Sequence, residues 1–121
     1  MCIRDRVTPS GLDFRNITHW DQLKQGALTL EPPSYAEAWD PQRPSIVIVP
    51  GVAFDRSGLR LGMGQGHYDR FLALHRRLPR LALAFDCQIA DPESWPHEDH
   101  DQKMDYVLTP RSVWSSPRVL V

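Results

Sequence analysis

With 121 residues, 13.9 kDa and 14 Lys and Arg against 15 Asp and Glu, the chain fits one modest-cored domain. It lacks the basic excess by which general nucleic-acid binders and anionic-membrane binders hold their partners. No apolar run approaches the ~20 residues needed to cross a bilayer, and no apolar core of a secretory signal follows the charged opening Met1–Arg6. Cys2 and Cys87 lie far apart and outside any ligand spacing, so no nucleic-acid or membrane partner and a reducing cytoplasm are expected.

Residues 1–7 read as a leader or tail, and the domain is expected over residues 8–121. Residues 7–44 carry weak periodicity, with Leu12, Phe14 and Ile17 scattered among turn formers. Asp21–Gln25 suits a helical turn that Gly26 would end. Pro32-Pro33 and Pro41…Pro44 bracket an extended loop around Trp39. Ile46–Val49 is a continuous β-branched run closed by Pro50-Gly51, which suits a strand covered on both faces in a parallel sheet. Five of the seven glycines then fall within residues 51–66, too many for a regular element.

From His67 the pattern turns helical. Tyr68, Phe71, Leu72 and His75 form one stripe, Arg76 and Arg77 complement the helix dipole near its end, and Pro79 stops it. Leu81–Phe85 reads as a second buried strand, so strand, loop, helix, strand makes a right-handed βαβ unit. After a polar loop over residues 86–103, Tyr106–Leu108 reads as a third strand ended by Thr109-Pro110. Arg118–Val121 suits an edge strand. The expected fold is α/β, a mostly parallel sheet with flanking helices and a glycine-rich phosphate loop between strand and helix.

That loop is Arg60-Leu-Gly-Met-Gly-Gln-Gly-His-Tyr-Asp-Arg70. Alternate glycines at 62, 64 and 66 let backbone approach an anion, and the helix behind them aims free N–H groups and its positive dipole end at it. Arg60 adds a guanidinium that can clamp phosphate oxygens. The bland alternative is a tight turn whose glycines serve packing alone. The spacing matches neither the P-loop nor the G-x-G-x-x-G fingerprint, which argues against a P-loop NTPase and a dehydrogenase. His97-Glu-Asp-His-Asp101 has two histidines three apart, but not the H-E-x-x-H spacing, so it reads as a solvated loop rather than a transition-metal site. Trp20, Trp39, Trp95 and Trp114 read as scattered core or loop anchors.

The stretch from Val49 to Leu72, Val-Pro-Gly-Val-Ala-Phe-Asp-Arg-Ser-Gly-Leu-Arg-Leu-Gly-Met-Gly-Gln-Gly-His-Tyr-Asp-Arg-Phe-Leu, resembles the signature of the 5-formyltetrahydrofolate cyclo-ligase (5,10-methenyltetrahydrofolate synthetase) family. Leu83-Ala-Phe85 with Gln88, and His100-Asp-Gln-Lys-Met-Asp-Tyr-Val-Leu-Thr109, resemble the family's closing segments in order and spacing. The resemblance implies an ATP loop of Arg60, Leu61, Gly62, Met63, Gly64, Gln65, Gly66, His67 and Tyr68, with Arg60 serving the chemistry. It implies folate contacts at Met63, Gly64, Gln65, Gly66 and His67, and Mg²⁺ on Asp69 and Asp101. A hard cation suits such carboxylates and bridges to phosphates. Two positions depart from the pattern: His67 stands where tyrosine is common, and Gln65 where some relatives carry lysine.

The resemblance runs from about Thr8 to Thr109, with Glu31-Pro32 near a family Glu-Pro segment. It implies the C-terminal part of an enzyme whose upstream portion carries a basic helix and a folate-contacting carboxylate. An N-terminally truncated sheet would leave apolar surface bare. The isolated chain is then expected to bind ATP weakly and to self-associate, whereas the full-length enzyme is expected to be a monomer. The implied reaction is ATP-dependent cyclisation of 5-formyltetrahydrofolate to 5,10-methenyltetrahydrofolate. Two alternatives remain: a nucleotide-binding α/β module without catalysis, and a structural domain in which the glycines merely turn the chain.

Overall fold

The computed structural model describes residues 2–26, 29–92, 94–116 and 118. It divides into two compact units, Met1–Pro44 and Ser45–Val121.

The first unit opens on an antiparallel hairpin of β1 (Cys2–Thr8) and β2 (Gly11–Ile17), in register from Cys2↔Ile17 to Thr8↔Gly11. Successive side chains alternate between faces. Ile3, Val7, Leu12 and Phe14 therefore share one face, and Arg4, Arg6, Asp13 and Arg15 the other. On the charged face Asp13 meets Arg15 at 2.8 Å and Arg6 at 3.8 Å. Residues 36–39 run beside β2: Asn16 N–H donates to Glu37 O and Trp39 N–H to Phe14 O, and the Trp39 ring meets Phe14 edge-on at 6.2 Å. A 3-10 turn covers Trp20–Gln22, and β3 (Lys24–Gln25) pairs antiparallel with β4 (Leu30–Glu31).

Residues 2–8, most of the stretch read as a leader or tail, form a paired strand. Two expectations are corrected here. The helical turn at Asp21–Gln25 is a shorter 3-10 turn shifted one residue earlier, and Gly26 closes a strand pair, its N–H donating to Thr29 O at 2.8 Å, rather than capping a helix.

The second unit holds β5 (Val47–Ile48), β6 (Ala53–Asp55), β7 (Arg60–Leu61), α1 (His67–Leu74), β8 (Arg80–Leu83), β9 (Ile89–Ala90), β10 (Tyr106–Leu108) and β11 (Val113–Ser115). One sheet runs β11-β10-β8-β5, with β5, β8 and β10 parallel and β11 antiparallel at the edge. A second runs β7-β6-β9, an antiparallel β6–β7 hairpin with β9 added parallel. The architecture is mixed α/β. The expected flanking helices reduce to α1, the single α-helix among the described residues, and no helix among them is long and apolar enough to cross a membrane.

Register explains the core. Val47 aligns with Arg80 and Ala82 with Val107, and all four are buried together with Val49, Phe71, Leu72 and Met104. The opposite face carries Ile48, Leu83 and Tyr106, which are 54%, 56% and 43% exposed. The apolar runs at 46–49 and 81–85 were expected to be covered on both faces; one face is open.

The helix also ends earlier than expected. His75 N–H donates to Phe71 O at 3.1 Å as the last turn closes at Leu74, which puts Arg76 and Arg77 beyond it. Its last turn is met instead by Arg80, whose Nη2 donates to Leu72 O at 2.9 Å, while Arg118 holds the segment that follows, donating to Arg76 O and Leu78 O at 2.8 and 3.0 Å. Charge at a helix C-terminus is favourable whatever its position in sequence. The expected strand at 118–121 falls largely outside the described residues; the observed edge strand is β11.

Candidate functional site

Parallel strands direct their carboxyl ends to one edge of a sheet, where open α/β folds place ligands. Here β5, β8 and β10 end at Val49-Pro50, Ala84-Phe85 and Thr109-Pro110. Gln88 links the first two ends: Phe85 N–H donates to its Oε1 at 2.8 Å, and its Nε2 donates to Val52 O at 3.0 Å. The chain leaving β5 forms the β6–β7 hairpin, delivers Arg60, and reaches α1 through Gly62–Gly66.

The three alternate glycines serve different needs. Gly64 and Gly66 take φ of +90° and +68°, the left-handed region, and Gly66 is the N-cap of α1. Gly62 does not take positive φ. A Cβ there would lie 2.8 Å from Arg60 Nη1, so Gly62 is small to admit the guanidinium.

Arg60 is held more firmly than a free clamp. Its side chain is 8% exposed; Nη2 lies 3.5 Å from Asp69 Oδ1, Nη1 donates to Pro50 O at 3.1 Å, and the guanidinium carbon sits 5.8 Å from the Tyr68 ring centre. Its buried Nε has no hydrogen-bond partner, an unmet donor in a low-dielectric setting.

Asp69 Oδ1 also accepts from the Gln102 N–H at 3.2 Å. The segments bearing Asp69 and Asp101 are therefore in contact. The Asp101 carboxylate turns back on its own loop, accepting from Glu98 N–H at 2.8 Å, with His100 Nε2 3.7 Å away. Among the described residues no group of three or more His, Cys, Asp or Glu is gathered for a metal.

Sequence reasoning missed Arg70. It donates to Gln65 O at 3.0 Å and to His67 Nδ1 at 3.1 Å. His67 Nε2 then carries the proton and donates to Gln65 Oε1 at 2.8 Å. The three-residue spacing from His67 to Arg70 on a helix was the available signal. Met63 and Gln65, at the loop tip, are exposed.

The perturbed ionisations lie elsewhere. Arg80 is pushed down to about 10 by burial and by the neighbouring Arg118 charge. Burial opposes ionisation of Asp105, but hydrogen bonds from Arg118 and from the Arg80 N–H outweigh it and hold the carboxyl below its ordinary value. These groups sit where β8 and β10 begin, at the opposite end of the strands from the loop.

The sequence model of the 5-formyltetrahydrofolate cyclo-ligase family matches residues 3–110. The chain belongs to this family. The cyclo-ligase match begins five residues before the boundary expected at residue 8, within β1. The chain is 43% identical over 74 residues to the 5-formyltetrahydrofolate cyclo-ligase of Escherichia coli K12, covering 60% of this chain and 40% of that protein. It is 30% identical over 122 residues to the mitochondrial 5-formyltetrahydrofolate cyclo-ligase of Arabidopsis thaliana, covering 86% and 44%. The solution structure of Aquifex aeolicus 5,10-methenyltetrahydrofolate synthetase superposes with a TM-score of 0.75 at 29% identity, covering 98% of this chain and 61% of that one. The chain thus spans less than half the length of these two curated cyclo-ligases.

Proposed function

We propose that the chain contributes the nucleotide-binding portion, the C-terminal part, of a cytoplasmic enzyme that uses ATP to close 5-formyltetrahydrofolate to 5,10-methenyltetrahydrofolate, releasing ADP and phosphate. The observation that carries this reading is the convergence of Arg60, Asp69 and the Gln102 amide beneath a glycine loop that opens onto α1. Arg60 through Tyr68 receive the triphosphate: exposed loop backbone offers N–H groups, and Arg60 supplies fixed positive charge. Met63 to His67 present the same loop to the folate.

Asp69 and Asp101 would hold Mg²⁺, which neutralises phosphate charge when bound. In the proposed reaction the formyl oxygen attacks the γ-phosphate, ADP leaves, and the phosphorylated formyl group cyclises onto the neighbouring folate nitrogen with loss of phosphate. The residues of this chain serve to position the substrates and neutralise charge. Arg70 adds a second guanidinium where Gln65 replaces the lysine of some relatives.

A second reading, nucleotide binding without turnover, is favoured by one observation: Arg60 is already engaged with Pro50 O and Asp69. Calorimetry with Mg·ATP, followed by methenyl-folate absorbance after adding 5-formyltetrahydrofolate, separates the two. Growth of that absorbance only with ATP and Mg²⁺ is expected for the enzyme. Binding without absorbance supports the module, and no binding defeats both. The open sheet face further leads us to propose that the chain self-associates; a monomer in sedimentation at micromolar concentration would contradict that.

A further inference from the structure

We propose that Asp55 is a positioning residue for the glycine loop, setting the strand that carries Arg60 and the segment that carries Asp101 through a single turn. The functional consequence rests on the nucleotide reading above; the structural coupling does not.

Asp55 is 1% exposed. Its Oδ1 accepts from Ser57 N–H at 2.8 Å, Ser57 Oγ at 2.6 Å and Leu59 N–H at 3.0 Å. Its buried Oδ2 has no hydrogen-bond partner. A carboxylate buried in this way costs stability unless its acceptor bonds repay it, so the turn depends on all three donors. The backbone closes the same turn, with Asp55 N–H donating to Leu59 O at 3.0 Å and Gly58 N–H to Asp55 O at 3.1 Å.

The turn faces two ways. Its exit is Leu59, followed directly by Arg60 in β7. Its apex, Gly58, takes φ +92°, and a Cβ there would lie 2.5 Å from Met104 O. That close approach lets Met104 N–H donate to Gly58 O at 2.7 Å. Two residues before Met104, the Gln102 N–H reaches Asp69. The turn therefore runs directly into one of the segments that meet at Asp69 and is hydrogen-bonded to the other. An apolar side chain at a position this dry would leave the Ser57 and Leu59 donors unmet, so the carboxylate fits a need for one defined turn geometry.

The test uses the full chain with D55A, D55N, S57A and, as a control for general destabilisation, V107A in β10. Amide hydrogen exchange is followed at Gln102, Met104 and Ala82, with Mg·ATP affinity measured by calorimetry. Hydrogen bonds to a charged group are strong enough that losing them should open the turn about tenfold or more. D55A is expected to raise exchange at Gln102 and Met104 together by that factor beyond its effect at Ala82, and to weaken Mg·ATP binding about tenfold. D55N keeps the Oδ1 acceptor and is expected to restore both, and S57A should fall between. If D55A does not fold, S57A and D55N carry the same comparison. Exchange rising equally at Ala82 and Gln102, as in V107A at matched thermal loss, overturns the proposal. Wild-type protein that binds no Mg·ATP defeats the nucleotide reading, while the exchange pattern still decides the coupling.

Discussion

Two arginine–aspartate pairs stand at opposite ends of the same parallel strands, and they are built differently. Where β8 and β10 begin, Arg118 grips Asp105 with two hydrogen bonds of 2.7 and 3.0 Å, and the Arg80 N–H adds a third at 2.8 Å. At the loop end, Arg60 meets Asp69 through a single 3.5 Å approach, with its Nε left unbonded. The Asp105 carboxylate takes three donors, whereas Asp69 takes one N–H and the longer Arg60 approach. Unmet donors do not tell the two ends apart, since the buried Arg80 Nε also lacks a partner. Perturbed ionisation is often used to find active sites, yet in this molecule the perturbed groups lie where the strands begin, away from the loop. The number and length of the bonds, with a glycine loop beside the looser pair, separate the two.

The comparison can be broken most sharply at Asp105. D105A leaves Arg80 and Arg118 without their carboxylate, and removing one partner of a buried pair costs about 3–5 kcal/mol. Urea denaturation should show a loss of that size; a loss below about 1 kcal/mol would mean the three bonds to Asp105 do not hold in solution. R60A should do the reverse, weakening Mg·ATP binding about tenfold or more, as expected for a charge-assisted contact, while stability falls less than in D105A. Calorimetry beside the same denaturation reads both quantities.

Acid gives the next effect. Asp105 titrates below its unfolded value, so its contribution is fully present above about pH 4 and disappears as pH falls through the lower folded value. The stability of the wild type should therefore fall more steeply than that of D105N below pH 4. Arg80 has the opposite sense. Its folded value of about 10 lies below the unfolded one, so its charge costs stability at every lower pH, and that cost eases as pH rises beyond about 10. Near-ultraviolet circular dichroism against urea at each pH measures both slopes.

The smallest effects separate the loop glycines. G62A should displace the Arg60 guanidinium and weaken nucleotide binding several-fold. G64A meets no atom within 4 Å but must hold φ +90°, a backbone strain of about 1–2 kcal/mol. It should therefore lower stability more than G62A does. Equal binding by G62A and wild type would remove the steric role assigned to Gly62.

Between Ser45 and Thr109 much of the second unit was legible, because apolar runs and the Tyr68–Phe71–Leu72 stripe are local signals. The hairpin of β1 and β2 was not. Its polar face carries Arg4, Arg6, Asp13 and Arg15, and those charges made a strand look like a tail until its partner supplied the register. The end of α1 was misplaced for a related reason, since the cation that meets its last turn is Arg80 rather than the adjacent Arg76 and Arg77. At the site, the glycines and Asp69 announce themselves in sequence, but the Gln102 contact spans 33 residues and no short motif encodes it.

The bare side of the β11-β10-β8-β5 sheet has a calorimetric consequence. Ile48, Leu83 and Tyr106 are already 54%, 56% and 43% exposed in the native chain, so unfolding brings them less new contact with water than it brings to buried side chains. The heat-capacity increment should fall below the usual ~12–15 cal/mol/K per residue, which flattens the dependence of stability on temperature. Anything that dries that surface should restore the curvature.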